Sequence, residues 1–204
     1  LVQARSYFSQ GEIHEGCVAL ENLRTFQDMS PVLDADIAMA HCHGSFEADR
    51  YADAANWASV ALRFLDDTEG YPHLRREAQL WLARSMTRQG QAPEAEELID
   101  DALQSAGVSH TERAELLHAR GEAYLARGDA EGAETSFREA VTADPDCARA
   151  WFSLGQRLAR RDQLEDGEKC LRAAQSADPE GTWGRDAALA LRTLEHQMKG
   201  SNDE

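Results

Sequence analysis

The chain has 204 residues, with 37 Asp and Glu against 21 Lys and Arg, giving a formal net charge of −16. Its 42% hydrophobic and 28% charged content suits a folded chain. No run reaches the ~18 apolar residues of a membrane span, and so acidic a chain is ill suited to gripping phosphate backbones.

The opening stretch Leu1–Phe8 reads as the middle of a helix, with no basic and apolar leader before it. We expect a fragment of a longer polypeptide, with the cytoplasm favoured as its compartment. From there one pattern recurs. Ala4, Tyr7, Gly16, Leu20 and Leu23 mark a first, truncated unit over about 1–31. Cys42, Ser45, Ala54, Ala58 and Ala61 mark a second over 35–68, and Ala83, Met86, Ala95, Ile99 and Ala102 a third over 76–109. Gly121, Tyr124, Ala133, Phe137, Ala140 and Pro145 mark a fourth over 114–147. Gly155, Leu158, Gly167, Leu171, Ala174 and Pro179 mark a fifth over 148–181, with every pair in the last two units 34 apart (155 − 121). Upstream the same pattern fits at offsets of 38 (121 − 83), 41 (83 − 42) and 38 (42 − 4).

Each unit reads as two helices. Apolar and small residues recur at i, i+3, i+4 and i+7, as in Trp151, Leu154, Gly155 and Leu158. A turn such as Gln89-Gly90-Gln91 or Arg127-Gly128-Asp129 follows, and strand-like alternation is absent. Pro31, Pro72, Pro93, Pro145 and Pro179 fall at predicted helix starts, where the missing N–H costs nothing. Cys42, Ala83, Gly121 and Gly155 share one site on the first helix; Ala54, Ala95, Ala133 and Gly167 share one on the second. Small side chains at both sites let paired helices approach closely. A lone hairpin cannot bury its apolar face, so the units must stack.

These residues resemble the tetratricopeptide repeat, most fully in Trp151-x2-Leu154-Gly155-x2-Leu158…Gly167…Leu171…Ala174…Pro179. The unit from Ala114 departs with Leu117 and Arg120, and the second and third units with His41, Ser45, Ala58 and Gln79 at sites the family fills with larger apolar residues. The resemblance implies an all-α, right-handed superhelical solenoid of about five antiparallel helix pairs, a single array over 1–199. Trp183, Ala187, Leu191, Leu194 and Met198 form one apolar stripe on a capping helix over 182–199; 200–204 reads as a disordered tail.

Chemistry is sparse. Four cysteines at 17, 42, 147 and 170 lack metal or disulfide spacing. His41 and His43, two apart on a helix, point away from each other and cannot share an ion. His14 and Cys17 would make half a site. No phosphate loop, zinc-protease helix or nucleophile elbow occurs. We therefore expect no catalytic residue, no metal and no cofactor.

The resemblance also implies a concave groove lined by the first helix of each unit. The positions are Arg5 and Phe8; His43 and Phe46; Trp81, Arg84 and Arg88; His118 and Glu122; Phe152, Gln156 and Arg160. Met39, Leu80, Leu125 and Arg149 adjoin them. The aromatics are expected either to line the groove or to pack on the next hairpin. Arg84 and Arg88, one turn apart, suit a partner carboxylate. The Asn and Lys pattern of relatives that clamp chaperone C-termini is absent, with His43, Arg84 and Glu122 in its place. The expected role is a non-catalytic scaffold binding a peptide or helix of a partner protein, with acidic or hydrophobic anchors. The alternative is a regulatory or assembly region of a larger enzyme or sensor. Neither nucleic acid nor membrane insertion is expected. The uncapped N-terminal face offers a route to a homo-oligomer. Only Lys169 and Lys199 of the 21 basic residues are Lys, a bias suggestive of a bacterial genome.

Overall fold

A computed structural model describes residues 31–66 and 70–202, with side chains described as far as Met198. Among these residues all regular structure is helical: α1 (Pro31–Glu47), α2 (Tyr51–Asp66), α3 (Pro72–Arg88), α4 (Ala92–Gln104), α5 (His110–Ala126), α6 (Ala130–Ala143), α7 (Ala148–Arg160), α8 (Leu164–Ala177) and α9 (Thr182–Asn202). Residues 1–30 of the unit expected over 1–31, with Arg5, Phe8, His14, Cys17 and the proposed self-association face, lie outside the described residues. The expected all-α class is the one that forms. Contacts divide the chain between Val108 and Ser109 into two compact units.

Local chemistry sets the helix ends. Ser109 caps α5 with a capping box: its Oγ accepts from the Glu112 N–H at 3.2 Å, and its own N–H donates to Glu112 Oε2 at 2.9 Å. Asp129 caps α6 by accepting from the Gly132 N–H at 2.9 Å. Pro31 opens α1, and Pro72 and Pro93 lie in the first turns of α3 and α4. Pro145 and Pro179 correct the expectation: both precede their helices by three residues, in connecting turns. α1, α3 and α5 start four residues ahead of the unit starts expected at 35, 76 and 114. α9 runs on through Gly200 to Asn202, where the sequence suggested a frayed tail.

The turns inside the hairpins check the repeat spacing independently. Asp49, Gly90, Gly128 and Asp162 have φ of +56°, +83°, +87° and +62°. Their separations are 41, 38 and 34 (90 − 49, 128 − 90, 162 − 128), the offsets read from the small and apolar residues. Two turns thus use aspartate where two use glycine, which reaches the left-handed region without Cβ strain. Asp162→Gly should therefore stabilise the chain by about 0.5–1 kcal/mol, the relief of strain less the entropy of glycine. A lowered midpoint in urea would show that the Asp162 conformation is not strained.

In the first unit α1 pairs with α2 and α3 with α4, while α3 also packs on both α2 and α1. In the second, α5 pairs with α6, α7 with α8, and α9 packs on α8 and α7. The small sites lie where the helices meet: Cys42, Ala54, Ala83, Ala95 and Ala133 are fully buried. A methyl group on Gly155 would stand 2.8 Å from Leu171 Cγ and 3.1 Å from the Gly167 carbonyl oxygen. One on Gly121 would run into the Phe137 ring.

Two of the departures from the family pattern are compensated. His41 stacks on Trp57, centroids 4.5 Å apart with the planes at 16°, so two flat rings fill a space that one large apolar chain would occupy. Arg120 donates from Nε to Ser136 Oγ at 3.2 Å and pairs with Glu139. Arg76, 4% exposed, donates to the carbonyls of Ala106 and Gly107, tying α3 to the segment after α4. Glu134 of α6 accepts from Arg161 at 2.7 Å and Arg138 at 3.0 Å. Burial pushes its carboxyl up, but the two guanidiniums outweigh it and hold the pKa below 4.5. Its contribution is present above that value and is lost as pH falls through the lowered one.

Candidate functional site

Two faces carry the expected groove residues. In the first unit α1 supplies His43 and Phe46, and α3 supplies Trp81, Arg84 and Arg88. The His43 ring lies 4.4 Å from that of Trp81, and Phe46 meets Trp81 edge-on at 5.2 Å. The Arg84 guanidinium sits 5.2 Å from the Trp81 ring, with Arg84 only 6% exposed. Arg88 is exposed and reaches over Phe46 at 5.9 Å and Tyr51 at 5.7 Å. His43 Nε2 stands 3.8 Å from Glu77 Oε1.

The five residues come together as one aromatic and cationic cluster, but not as an open arginine pair. One turn apart, Arg84 is drawn into the packing while Arg88 stays in solvent. Trp81 is half-buried against two apolar clusters of this unit, which also contain Cys42 and Met39. Met39 and Leu80, read beside the groove, are buried in the core. Tyr51 joins the cluster although sequence reasoning did not place it in the site. Tyr51 starts α2, and no periodicity ties it to the first-helix stripe.

In the second unit α5 supplies His118 and Glu122, and α7 supplies Phe152, Gln156 and Arg160. His118 is 2% exposed. Its Nε2 is 3.0 Å from Ser153 Oγ, its Nδ1 3.6 Å from Glu122 Oε2, and its ring 5.3 Å from that of Phe137. It is therefore a packing residue between α5 and α7 and does not face a ligand. Arg149 Nη1 reaches Glu115 Oε2 at 3.3 Å, and its guanidinium covers the Trp183 ring at 5.0 Å. Phe152 lies 5.7 Å from Trp183.

Phe152, Gln156 and Arg160 form one wall of a cleft of about 510 Å³ whose other wall is α9, through Asp186, Leu189, Ala190, Thr193 and Gln197. Sequence reasoning missed this wall. It assigned α9 only a covering role, yet α9 contacts α7 as one first helix contacts the next. The signal was present: Asp186 and Ala190 fall 34 after Phe152 and Gln156 (186 − 152, 190 − 156).

The described cysteines are poorly disposed for nucleophilic chemistry. Burial, and then the charge of Glu77, push the Cys42 thiol up to about 12. Burial also raises Cys147 and Cys170. Such thiols hold little of the nucleophilic thiolate near neutral pH. Among the described residues no group of three or more His, Cys, Asp or Glu could hold a metal ion. None of the described helices is long and apolar enough to cross a membrane.

Two family models, each described as a tetratricopeptide repeat, match residues 74–146 and 118–182, together more than half of the chain. The fold matches solved structures. One is a Rap protein complexed with Competence and Sporulation Factor, at TM-score 0.81 and 18% identity, covering 98% of this chain and 58% of that one. Another is the apo form of RapI, at TM-score 0.69 and 14% identity, covering 88% and 69%. A third is PilW, a type IV pilus biogenesis factor, at TM-score 0.66 and 16% identity, covering 97% and 90%. No curated protein matches the chain.

Proposed function

The chain belongs to the tetratricopeptide-repeat family, and from that premise we propose that it is a non-catalytic scaffold holding a peptide or helical segment of a partner protein against its first helices. The observation that carries this reading is the α1/α3 cluster. An exposed Arg88 lies across Phe46 and Tyr51 beside a half-buried Trp81. Aromatic rings and arginine, held rigid by packing, are the side chains that concentrate binding energy at protein interfaces. The Rap protein of the same fold was solved with a bound factor, which supports the architecture as a place for a partner.

The test is selection of displayed random peptides on the full chain, followed by affinity measurement on variants. Arg88→Glu and Arg160→Glu, both at exposed positions, should each leave the melting curve unchanged. At least one should weaken selected peptides by about tenfold, the value of one charge-assisted contact. If no peptide is selected, or the selected peptides ignore both reversals, the groove reading is wrong.

The second reading is a regulatory or assembly region within a longer protein. It is favoured by the match in which the chain spans only 58% of its relative. A catalytic or sensory domain encoded in the same reading frame would support it; a frame encoding only repeats would remove it.

A further inference from the structure

The cleft between α7 and α9 carries more than its apolar lining, and the charges at its two ends are opposite. Arg160 and Asp186 both line it, both are exposed, and neither makes an ion pair among the described residues. Of the neighbouring arginines, Arg149 is engaged with Glu115 and Arg161 with Glu134. The repeat offset places Asp186 level with Phe152 and Leu194 level with Arg160 (186 − 152 and 194 − 160, both 34). The contact of the Arg149 guanidinium with the Trp183 ring has the same offset (183 − 149). Arg160 and Asp186 therefore stand at opposite ends of the cleft, eight residues or ~12 Å apart along the helices. Phe152 and Leu194 mark those two levels, with Gln156, Ala190 and the 65%-exposed Leu189 between them.

The same offset argues against a packed helix as occupant. Leu189 follows Gly155 by 34 (189 − 155), the site where every other hairpin carries a small residue so that a helix can approach closely. A leucine there holds another repeat, or a second copy of this chain, at a distance.

Resting on the scaffold reading above, the geometry points to a more specific occupant: a segment of another protein with one bulky apolar side chain between an acidic and a basic residue. The apolar side chain fills the cleft, the carboxylate meets Arg160 and the cation meets Asp186. An extended segment covers ~12 Å in about four residues, so the two charges are separated by that spacing. The volume falls in the ordinary range for binding clefts, ~300–1,000 Å³.

The peptide selection tests this directly. The expected consensus is an apolar residue flanked by one acid and one base in a fixed order. Ala190→Trp, which fills the cleft, should weaken the best peptide about tenfold or more. Should that variant fold poorly, the surface reversals decide. Arg160→Glu should weaken the peptide similarly, and replacing the peptide's acid by Lys should restore binding to Arg160→Glu alone; Asp186→Lys should behave in the mirror sense. Peptides without that charge order, or with no exchange of preference in the reversals, overturn the proposal. Peptides that lose affinity with Arg88→Glu but ignore Ala190→Trp, Arg160→Glu and Asp186→Lys sink the cleft while leaving the scaffold reading standing.

Discussion

Phe137→Ala should destabilise the second unit by about 3–5 kcal/mol, the cost of deleting a buried aromatic ring and leaving its space empty. Phe137 is fully buried in α6. Its ring lies where a Cβ on Gly121 of α5 would stand and packs against the His118 ring at 5.3 Å. The absence of a side chain on one helix is thus the space occupied by a ring on its partner. Collapse around the deletion is limited, because the residues one turn away on α6, Ala133 and Ala140, are small and already fully buried. Urea titration followed by far-UV circular dichroism should show the loss, and hydrogen exchange should place it in α5 and α6, since stacked repeats interact mainly with their neighbours. A loss below about 1 kcal/mol would mean that Phe137 is not the filler of this hairpin.

That pairing of a glycine with a ring was legible in the sequence because it depends on spacing within one helix pair. Small residues repeated at 34, 38 and 41, and the left-handed turn residues Asp49, Gly90, Gly128 and Asp162 repeat at the same intervals. What the sequence did not reveal depends on contacts between helices that no single period links. Whether Arg84 points to solvent is decided by Trp81, whose ring it covers. The burial of His118 is decided by Ser153, 35 residues on. Tyr51 joins Phe46 and Arg88 from the start of the following helix. The cap hid its second role for another reason: a stripe of apolar residues announces what α9 covers, whereas Asp186, Thr193 and Gln197 on its flank look like ordinary solvated positions until α7 stands beside them.

A close approach of two helix backbones in the second unit gives the other large effect. Gly155→Leu should cost about 1–3 kcal/mol through overpacking, because its first carbon alone would already crowd Leu171 and the Gly167 carbonyl. The Leu171 side chain can rotate away; the carbonyl can move only with α8. Gly167 is the more constrained partner. A methyl there would meet the Gly155 carbonyl oxygen at 3.1 Å and the Ala159 nitrogen at 3.2 Å, both of them backbone atoms of α7. Gly167→Ala gains up to about 1 kcal/mol of helix propensity, so its net cost alone is small or of either sign and does not measure the contact. The double variant does. Once leucine at 155 has forced α7 and α8 apart, alanine at 167 meets an open gap and keeps its propensity gain, so the pair should cost less than the two single changes added. The expected coupling is about 0.5–3 kcal/mol in that sense. Strict additivity, or a Gly155→Leu chain that unfolds at the parental urea concentration, would mean that the two glycines do not mark where these helices touch.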